Sequence, residues 1–225
     1  GCGLVEAKLK EFNARCTSLD VEFRESWDGI FAAHPWLDGP ADSYLGYMSK
    51  GGGALSEHSH ALNLWQHFAK ILGHGKIIKV HASSKLYSDG QVEYDEASFL
   101  NLQTETGFIG RCVQDVTTSP PEKFVKVGFN GGNVRLDISP NCEIVTAINL
   151  GKQEKNDLNK TRPDDFILEL KHIEKIMIGS EEMSPISSKY GLETALVIAA
   201  AHRSAKLGKT VNIKYENGFN LSSLF

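Results

Sequence analysis

Hydrophobic positions follow a helical period in the first third of the chain, alternate in the middle, and return to a helical period near the end. A short helix is predicted from about Val5 to Asn13. A strand follows, in which Leu19, Val21 and Phe23 alternate with charged residues. A longer helix is predicted from about Ala54 to Leu72, because its apolar residues form one wide stripe.

The middle of the chain, from Lys76 to Leu150, has the period of two that strands require. Turn sequences such as Asn130-Gly131-Gly132 separate the segments, and connections this short favour antiparallel hairpins. We therefore expect a meander of successive strands and not a βαβ array. The predicted strands contain Ile78 and Val80, Phe99, Ile109 to Val113, Phe124 to Phe129, Val134 to Ile138, and Ile144 to Ile148.

The last third predicts a charged linker, two helices and one strand. The linker is 152–160, and Thr161-Arg162-Pro163-Asp164 begins a helix with Phe166, Leu170, Ile173 and Met177 on one face. An Ala-rich helix from Leu192 to Leu207 and a strand from Thr210 to Tyr215 follow. The predicted fold class is α+β, with a large, mostly antiparallel open sheet and helices packed on one face.

Composition excludes several classes of protein. The 225 residues are 41% hydrophobic and 23% charged, and the formal net charge is −4 without any run of basic residues, so nucleic acid is not an expected partner. The longest apolar run, Ala195 to Ala201, is too short to cross a membrane, and no signal-peptide pattern is present. A cytoplasmic location is expected. The four cysteines form no C-x-x-C pair and suggest neither a zinc site nor a disulfide framework.

The stretch KGGGALSEHSHALNLW, residues 50–65, places titratable side chains where a glycine turn meets a helix. Glu57 and His60 are three residues apart, so one helical face carries both, and a carboxylate beside an imidazole suits a general acid or base. The alternative is a turn with a solvated acid and two capping histidines. A metal-dependent hydrolase using this cluster is a further alternative. However, His58 and His60 are two apart where a metalloprotease needs four, so no metal site is predicted.

The same stretch resembles the glycine-rich turn and catalytic helix of the glucose-fructose oxidoreductase/inositol dehydrogenase (Gfo/Idh/MocA) family. GLETALVIAAAHRSAKLGKTVNI, residues 191–213, is similar to the last helix and strand of that family. The resemblance implies that His60 is the catalytic histidine and that Glu57 takes the place of an acidic residue that is usually aspartate. Asn63 stands where an aspartate is common.

The resemblance also implies a second domain. Members of the family carry a preceding Rossmann domain and a catalytic lysine in a Glu-Lys-Pro motif, and these 225 residues contain neither. Residues 1–225 are therefore expected to form a single C-terminal, substrate-binding domain, inactive alone. The cofactor, NAD or NADP, would be bound mainly by the other domain. Only Gly52 and Gly53, which let a backbone approach a ligand closely, are candidates for cofactor contact here. A stand-alone binding or scaffold domain is the alternative.

The implied reaction is hydride transfer from a hydroxyl-bearing carbon of a sugar, sugar derivative or polyol, with His60 moving the hydroxyl proton and Glu57 orienting it. Residues 27–49 form an aromatic-rich loop that would hold such a substrate, since loops of this length are often functional. Loop anchoring is the alternative role for its polar and aromatic side chains. The substrate-binding candidates are Trp36, Asp42, Tyr44 and Tyr47.

One face of the predicted sheet has no helix to cover it. Val134, Leu136 and Ile138 would face the helices, which leaves the alternating positions 133, 135 and 137 on the other side. Related C-terminal domains pair through this face, so the resemblance implies a homodimer or larger homo-oligomer. A solvated face is the alternative.

Overall fold

The structure, a computed structural model, describes residues 1–179 and 184–225. Within these ranges one sheet of nine strands carries six α-helices, and short 3₁₀ turns occupy much of the loop before the glycines. The helices are α1 (Cys2–Glu11), α2 (Asp28–Ala33), α3 (Ala54–Glu57), α4 (His60–Ile71), α5 (Arg162–Met177) and α6 (Ser188–Leu207). Along the described ranges no helix is both long enough and apolar enough to span a bilayer.

The strands form one open sheet in the order β8-β7-β6-β5-β1-β4-β3-β2-β9. All neighbours are antiparallel except β1 and β4, which confirms the mostly antiparallel sheet. The strands are β1 (Cys16–Arg24), β2 (Ile77–Ser88), β3 (Glu93–Thr104), β4 (Ile109–Asp115), β5 (Glu122–Phe129), β6 (Gly132–Ile138), β7 (Cys142–Asn149), β8 (Lys152–Asn159) and β9 (Val211–Asn212).

The prediction of one continuous meander is wrong at the centre of the sheet. β1 lies between β4 and β5, parallel to the first and antiparallel to the second. The alternating pattern of a strand does not identify its partner, so a strand from the N-terminal region can separate two strands that are consecutive in the middle of the chain. Because parallel strands end at the same edge, the residues that follow β1 and β4 lie side by side.

Four helices pack on one face of this sheet, as the sequence predicts. α1 packs on β6 and β7, α3 on β3 and β4, α4 on β1 and β4, and α6 on β2 and β9. Their buried apolar residues join one core with those of the strands, and Trp65 also donates from Nε1 to the carbonyl of Leu19 at 3.2 Å. Ser204 of α6 accepts from the Ala82 amide at 2.9 Å. The helix layer is therefore fixed to the sheet by both apolar packing and hydrogen bonds.

The charged linker predicted at 152–160 is strand β8. It pairs with β7 over its full length, after a two-residue turn in which Leu150 (φ 48°) and Gly151 (φ 80°) are both left-handed. Such a turn matches the twist of a hairpin, but it is usually marked by Asn-Gly or Asp-Gly. β8 lies at the sheet edge, where polar side chains on both faces meet water, so it lacks the alternation that indicates a strand.

Three other predicted boundaries also change. The single helix predicted from about Ala54 to Leu72 is two helices, α3 and α4, which are separated at His58 and Ser59. The last strand shrinks to Val211–Asn212, since the next residue forms only an isolated bridge to Leu224. The region predicted to be irregular, 27–49, contains α2 and several 3₁₀ turns.

The other face of the sheet carries a polar row that crosses eight strands. Val134 and Leu136 face the helix layer and are buried, whereas Arg135 between them belongs to this row, as the alternation predicts. Among the described residues no helix packs across this row. In strand order from β2, its paired positions are His81, Asn101, Arg111, Asp20, Lys126, Arg135, Thr146 and Lys155.

Candidate functional site

The glycine turn before α3 is packed tightly against the protein itself. Gly51 ends a 3₁₀ turn in the left-handed region at φ 88°, and Gly53 has φ 89°. A Cβ at Gly52 would overlap the backbone carbonyls of the 3₁₀ turn that contains Tyr44, and one at Gly53 would overlap the carboxylate of Asp95. The two cofactor-contact candidates, Gly52 and Gly53, therefore have an internal reason to be glycine.

Two buried side chains from the sheet hold helix α3. Asp95 of β3 accepts from the Leu55 amide through Oδ2 at 2.8 Å, and Gln114 of β4 donates from Nε2 to the carbonyl of His58 at 2.5 Å. Both side chains are fully buried. Neither residue is among the candidates that the sequence predicts, although a polar residue in a strand that is otherwise buried is the signal that marks them.

Glu57, at the end of α3, lies against the aromatic loop. The Tyr44 hydroxyl donates to Glu57 Oε2 at 2.9 Å, which brings a substrate-binding candidate and a catalytic candidate together. Burial first, and then the hydrogen bond to Glu57, raise the pKa of the Tyr44 phenol. At neutral pH Tyr44 is therefore a neutral donor, held in place by the carboxylate.

His60 is the first residue of α4 and is exposed. Within the described ranges its ring has no hydrogen-bond or ion-pair partner, and neither kind of contact joins it to Glu57. A cavity of about 260 Å³ lies beside it, where α4 meets the start of α6. The residues lining this cavity are Ser59, His60, Asn63, Gly191, Thr194, Ala195 and Ile198.

The neighbouring histidine has a different environment. His58 is buried, and its Nε2 lies 3.4 Å from the carbonyl oxygen of Glu25, in the segment that follows β1. Burial lowers the pKa of His58, so the neutral ring is favoured. Of the two histidines in this stretch, only His60 is accessible to a substrate.

The other three substrate-binding candidates in the loop differ in their surroundings. Trp36 is 72% exposed and its ring lies edge-on to His34, with 5.0 Å between centroids. Asp42 accepts from the Asp38 amide at 2.8 Å, and the Tyr47 hydroxyl donates to the Ala41 carbonyl at 3.1 Å. Asp42 and Tyr47 therefore have the contacts that loop anchoring requires, while Trp36 presents an aromatic surface to solvent.

Asn63 lies one turn beyond His60 and joins α4 to α6. Its Nδ2 donates to Thr194 Oγ1 at 3.3 Å, and that hydroxyl donates to Gln66 Oε1 at 2.8 Å. Asn63 and Thr194 of this chain of contacts also line the cavity beside His60. In the part of the chain that the structure describes, no group of three or more His, Cys, Asp or Glu side chains is arranged to hold a metal ion.

Comparison with known proteins gives matches among solved structures alone. No protein-family model and no curated protein matches the chain. An aldose-aldose oxidoreductase from Caulobacter crescentus, solved with glycerol, superposes with a TM-score of 0.71 at 20% identity, over 94% of this chain and 60% of its own. An oxidoreductase from Agrobacterium radiobacter, solved with NAD⁺, L-tartaric acid and magnesium, gives 0.70 at 18%, over 93% and 60%.

A levoglucosan dehydrogenase solved with NADH gives a TM-score of 0.72 at 15% identity, and the match covers 93% of this chain and 62% of the dehydrogenase. The chain thus spans about 60% of the length of each of these proteins. At such identities the likeness establishes the fold, and it confirms the fold that the sequence resemblance implies. The chain has the fold of the Gfo/Idh/MocA-type oxidoreductases, over the part of their length that it matches.

Proposed function

We propose that this chain is the C-terminal, substrate-binding domain of a nicotinamide-dependent oxidoreductase that acts on a hydroxyl group of a sugar, sugar derivative or polyol. His60 is the acid/base of the reaction, and the protein works in the cytoplasm. The observation that carries the proposal is the position of His60, exposed beside a cavity at the start of α4, in a fold that sugar oxidoreductases share.

His60 takes up the hydroxyl proton when the substrate is oxidised and returns it in the reverse direction. The nicotinamide, when bound, accepts or supplies the hydride. Proton transfer by a positioned side chain contributes a factor of about 10² to 10⁴ in rate. The His60 ring is exposed and has no partner among the described residues, so it is free to meet a hydroxyl. Glu57 and Tyr44, joined at 2.9 Å, supply a carboxylate and a phenol that a polyol can hydrogen-bond.

The aromatic loop completes the substrate site in this proposal. Trp36, which is exposed, offers a flat surface for the C–H face of a sugar ring, and its ring lies edge-on to His34. Asp42 and Tyr47 support the loop from within through their backbone contacts. The cavity beside His60 is lined by further polar groups, Ser59, Asn63 and Thr194, which can pair with hydroxyls.

NAD or NADP is held mainly by a dinucleotide-binding domain outside these residues. The glycine turn of this chain fits that division, because the positions where Cβ atoms would stand at Gly52 and Gly53 are filled by the protein's own carbonyls and by Asp95. Gly52 and Gly53 are therefore glycine because the turn requires it, and in this proposal only their backbone atoms contact the cofactor.

Helix α5 supports the proposal that another protein unit adjoins this one. Phe166, Leu170, Ile173 and Met177 are spaced by four, three and four residues, as one helical face requires, yet Met177 is 82% and Leu170 65% exposed. A capping box in which Asp164 accepts from the Thr161 amide at 2.7 Å begins the helix. An apolar face of this kind on a well-packed protein is typical of a surface that a second unit covers.

The activity is tested with the protein encoded by the complete reading frame. Purified enzyme is mixed with NAD⁺ or NADP⁺ and a panel of aldoses, anhydro-sugars and polyols, and formation of the reduced nicotinamide is followed by absorbance. We expect turnover with at least one member of the panel. An enzyme that reduces neither cofactor with any of them, and oxidises neither reduced form with the corresponding ketoses or lactones, contradicts the proposal.

The isolated chain should bind no nicotinamide nucleotide and show no dehydrogenase activity, because its sequence contains no strand–glycine–helix unit for the pyrophosphate. Isothermal titration calorimetry with NAD⁺, NADH, NADP⁺ and NADPH checks this. A saturable titration with a dissociation constant in the micromolar range, which corresponds to a binding free energy of about −8 kcal/mol, would place the nucleotide site within these residues.

The open face of the sheet suits self-association. Its charges are largely paired within the face, since Arg111 contacts Glu22 at 2.8 Å and Arg135 contacts Asp137 at 2.7 Å. Exposed apolar side chains, such as Phe99, lie on the same face. Charges that are already paired and apolar groups that are exposed favour a symmetric contact in which the face meets its own copy.

We expect the chain to form a homodimer or larger oligomer through this face, burying more than about 1,000 Å² in total. Size-exclusion chromatography coupled to light scattering, at several micromolar concentrations, measures the mass. Phe99→Arg should convert the oligomer to monomer, whereas Phe166→Arg on α5 should not. A mass near 24.7 kDa at every concentration would show instead that the face is solvated.

A further inference from the structure

A short chain of buried polar groups connects the sheet to helix α3. Ser98 donates from Oγ to Asp95 Oδ2 at 3.0 Å, and the hydroxyls of Ser98 and Ser84 lie 2.8 Å apart. The same Asp95 oxygen accepts from the Leu55 amide at 2.8 Å. Asp95 is fully buried, so this carboxylate is a fixed point in the protein and not a solvated surface group.

The second oxygen of Asp95 has an unusual position. Among the described residues Oδ1 has no hydrogen-bond partner, and it lies where a Cβ at Gly53 would stand. Burial raises the pKa of Asp95, while the hydrogen bond from the Leu55 amide and the nearby His202 of α6 act in the opposite direction. A buried polar atom without a partner is unfavourable for folding, so its retention calls for a function beyond stability.

Helix α3 depends on such external contacts. It has four residues, and a single helical turn is not stable on its own. Asp95 binds its first turn at Leu55, Gln114 binds the carbonyl that follows it, and Glu57 at its end accepts from Tyr44. Leu55 and Glu57 lie in the same helical turn, so a shift of the Leu55 amide also moves the Glu57 carboxylate.

We propose that Asp95 is a positioning residue, which fixes helix α3 from the sheet and thereby holds the Glu57 carboxylate against Tyr44. This inference rests on the proposed function in so far as Glu57 and Tyr44 belong to the substrate site. Asp95 itself is buried beneath the turn and does not touch the substrate. Its role is to set the position of the Glu57 carboxylate relative to the Tyr44 hydroxyl.

Burial is the first cause of the raised pKa of Tyr44, and the hydrogen bond and charge of Glu57 raise it further, so the part that depends on Glu57 reports this geometry. The chain is prepared with ring-¹³C-labelled tyrosine, Tyr44 is assigned with Tyr44→Phe, and its pKa is measured by NMR. Glu57→Gln gives the shift that follows from losing the carboxylate. We expect Asp95→Ala to lower the pKa of Tyr44 by at least half of that shift.

Matched variants separate positioning from general destabilisation. Asp95→Asn keeps a carbonyl oxygen for the Leu55 amide and should leave Tyr44 close to its value in the parent chain. Glu22→Gln alters another buried carboxylate, which accepts from Arg111 Nη2 at 2.8 Å on the open face of the sheet, and should not change the pKa of Tyr44. If Asp95→Ala does not fold, Asp95→Ser, whose hydroxyl is too short to reach Leu55, serves in its place.

The outcomes are distinct. A Tyr44 pKa that stays at the parent value in the folded Asp95 variant, while Glu57→Gln shifts it, overturns the inference. So does an equal shift in Glu22→Gln, or a Tyr44 pKa that does not respond to Glu57→Gln. None of these measurements involves turnover, so failure of the proposed dehydrogenase activity would leave the positioning of Glu57 by Asp95 intact, and the reverse also holds.

Discussion

His60→Ala should lower turnover of the complete dehydrogenase by about two to four orders of magnitude. The ring is exposed at the start of α4 and, within the described residues, has no partner whose loss would weaken the fold. The measurement is kcat for oxidation of the best substrate of the panel. Circular dichroism and the unfolding midpoint should stay as in the parent enzyme.

Two other histidines serve as controls for this variant. His67 lies two turns further along α4, half-buried and 3.4 Å from Glu6, so His67→Ala should change turnover only a few-fold. His58 is buried, so His58→Gln should act on stability far more than on turnover. Equal losses of turnover at His58 and His60, or a loss that is traced to a bound metal ion, would contradict the role of His60 as acid/base.

The sequence predicts those helices and strands whose hydrophobic periodicity is complete within the element itself. The apolar stripe of α4 is an example, since Leu62, Trp65 and Phe68 are all fully buried. β8 is the opposite case, because an edge strand with two solvated faces has no alternation to detect. The insertion of β1 between β4 and β5 is a matter of pairing, and pairing depends on contacts that periodicity does not encode.

In the candidate site, too, local spacing can be predicted from the sequence, whereas contacts between distant segments cannot. The spacing of Glu57 and His60 is visible within four residues of sequence. The contact between Tyr44 and Glu57 joins a loop to a helix, and Asp95 reaches Leu55 across 40 residues, so neither is visible from local pattern. The prediction that Glu57 and His60 share one helical face assumed an unbroken helix, and the break at His58 and Ser59 removes that assumption.

Glu193→Ala should destabilise the chain by about 3 kcal/mol, since removing one member of a buried ion pair leaves the other uncompensated. Glu193 of α6 is 1% exposed, and it accepts from Lys70 Nζ at 2.5 Å while Lys76 Nζ lies 3.4 Å away. It therefore connects α6 to α4 and to the segment before β2. Urea unfolding followed by circular dichroism, at fixed protein concentration, measures the free energy of unfolding.

The size of this effect follows from the environment in which the lysine ammonium groups are left when Glu193 is removed. Burial lowers the pKa of Lys70, whose ammonium lies 3.4 Å from the centroid of the Tyr190 ring, so without Glu193 that charge would be half-buried with little to balance it. The control is Glu11→Ala, an exposed carboxylate 2.9 Å from Lys8, which should change stability by less than about 1 kcal/mol. If both variants lose the same small amount, the ion pair at Glu193 does not hold α6 in place, and this helix is joined to the sheet by apolar packing and by the hydrogen bond from the Ala82 amide to Ser204.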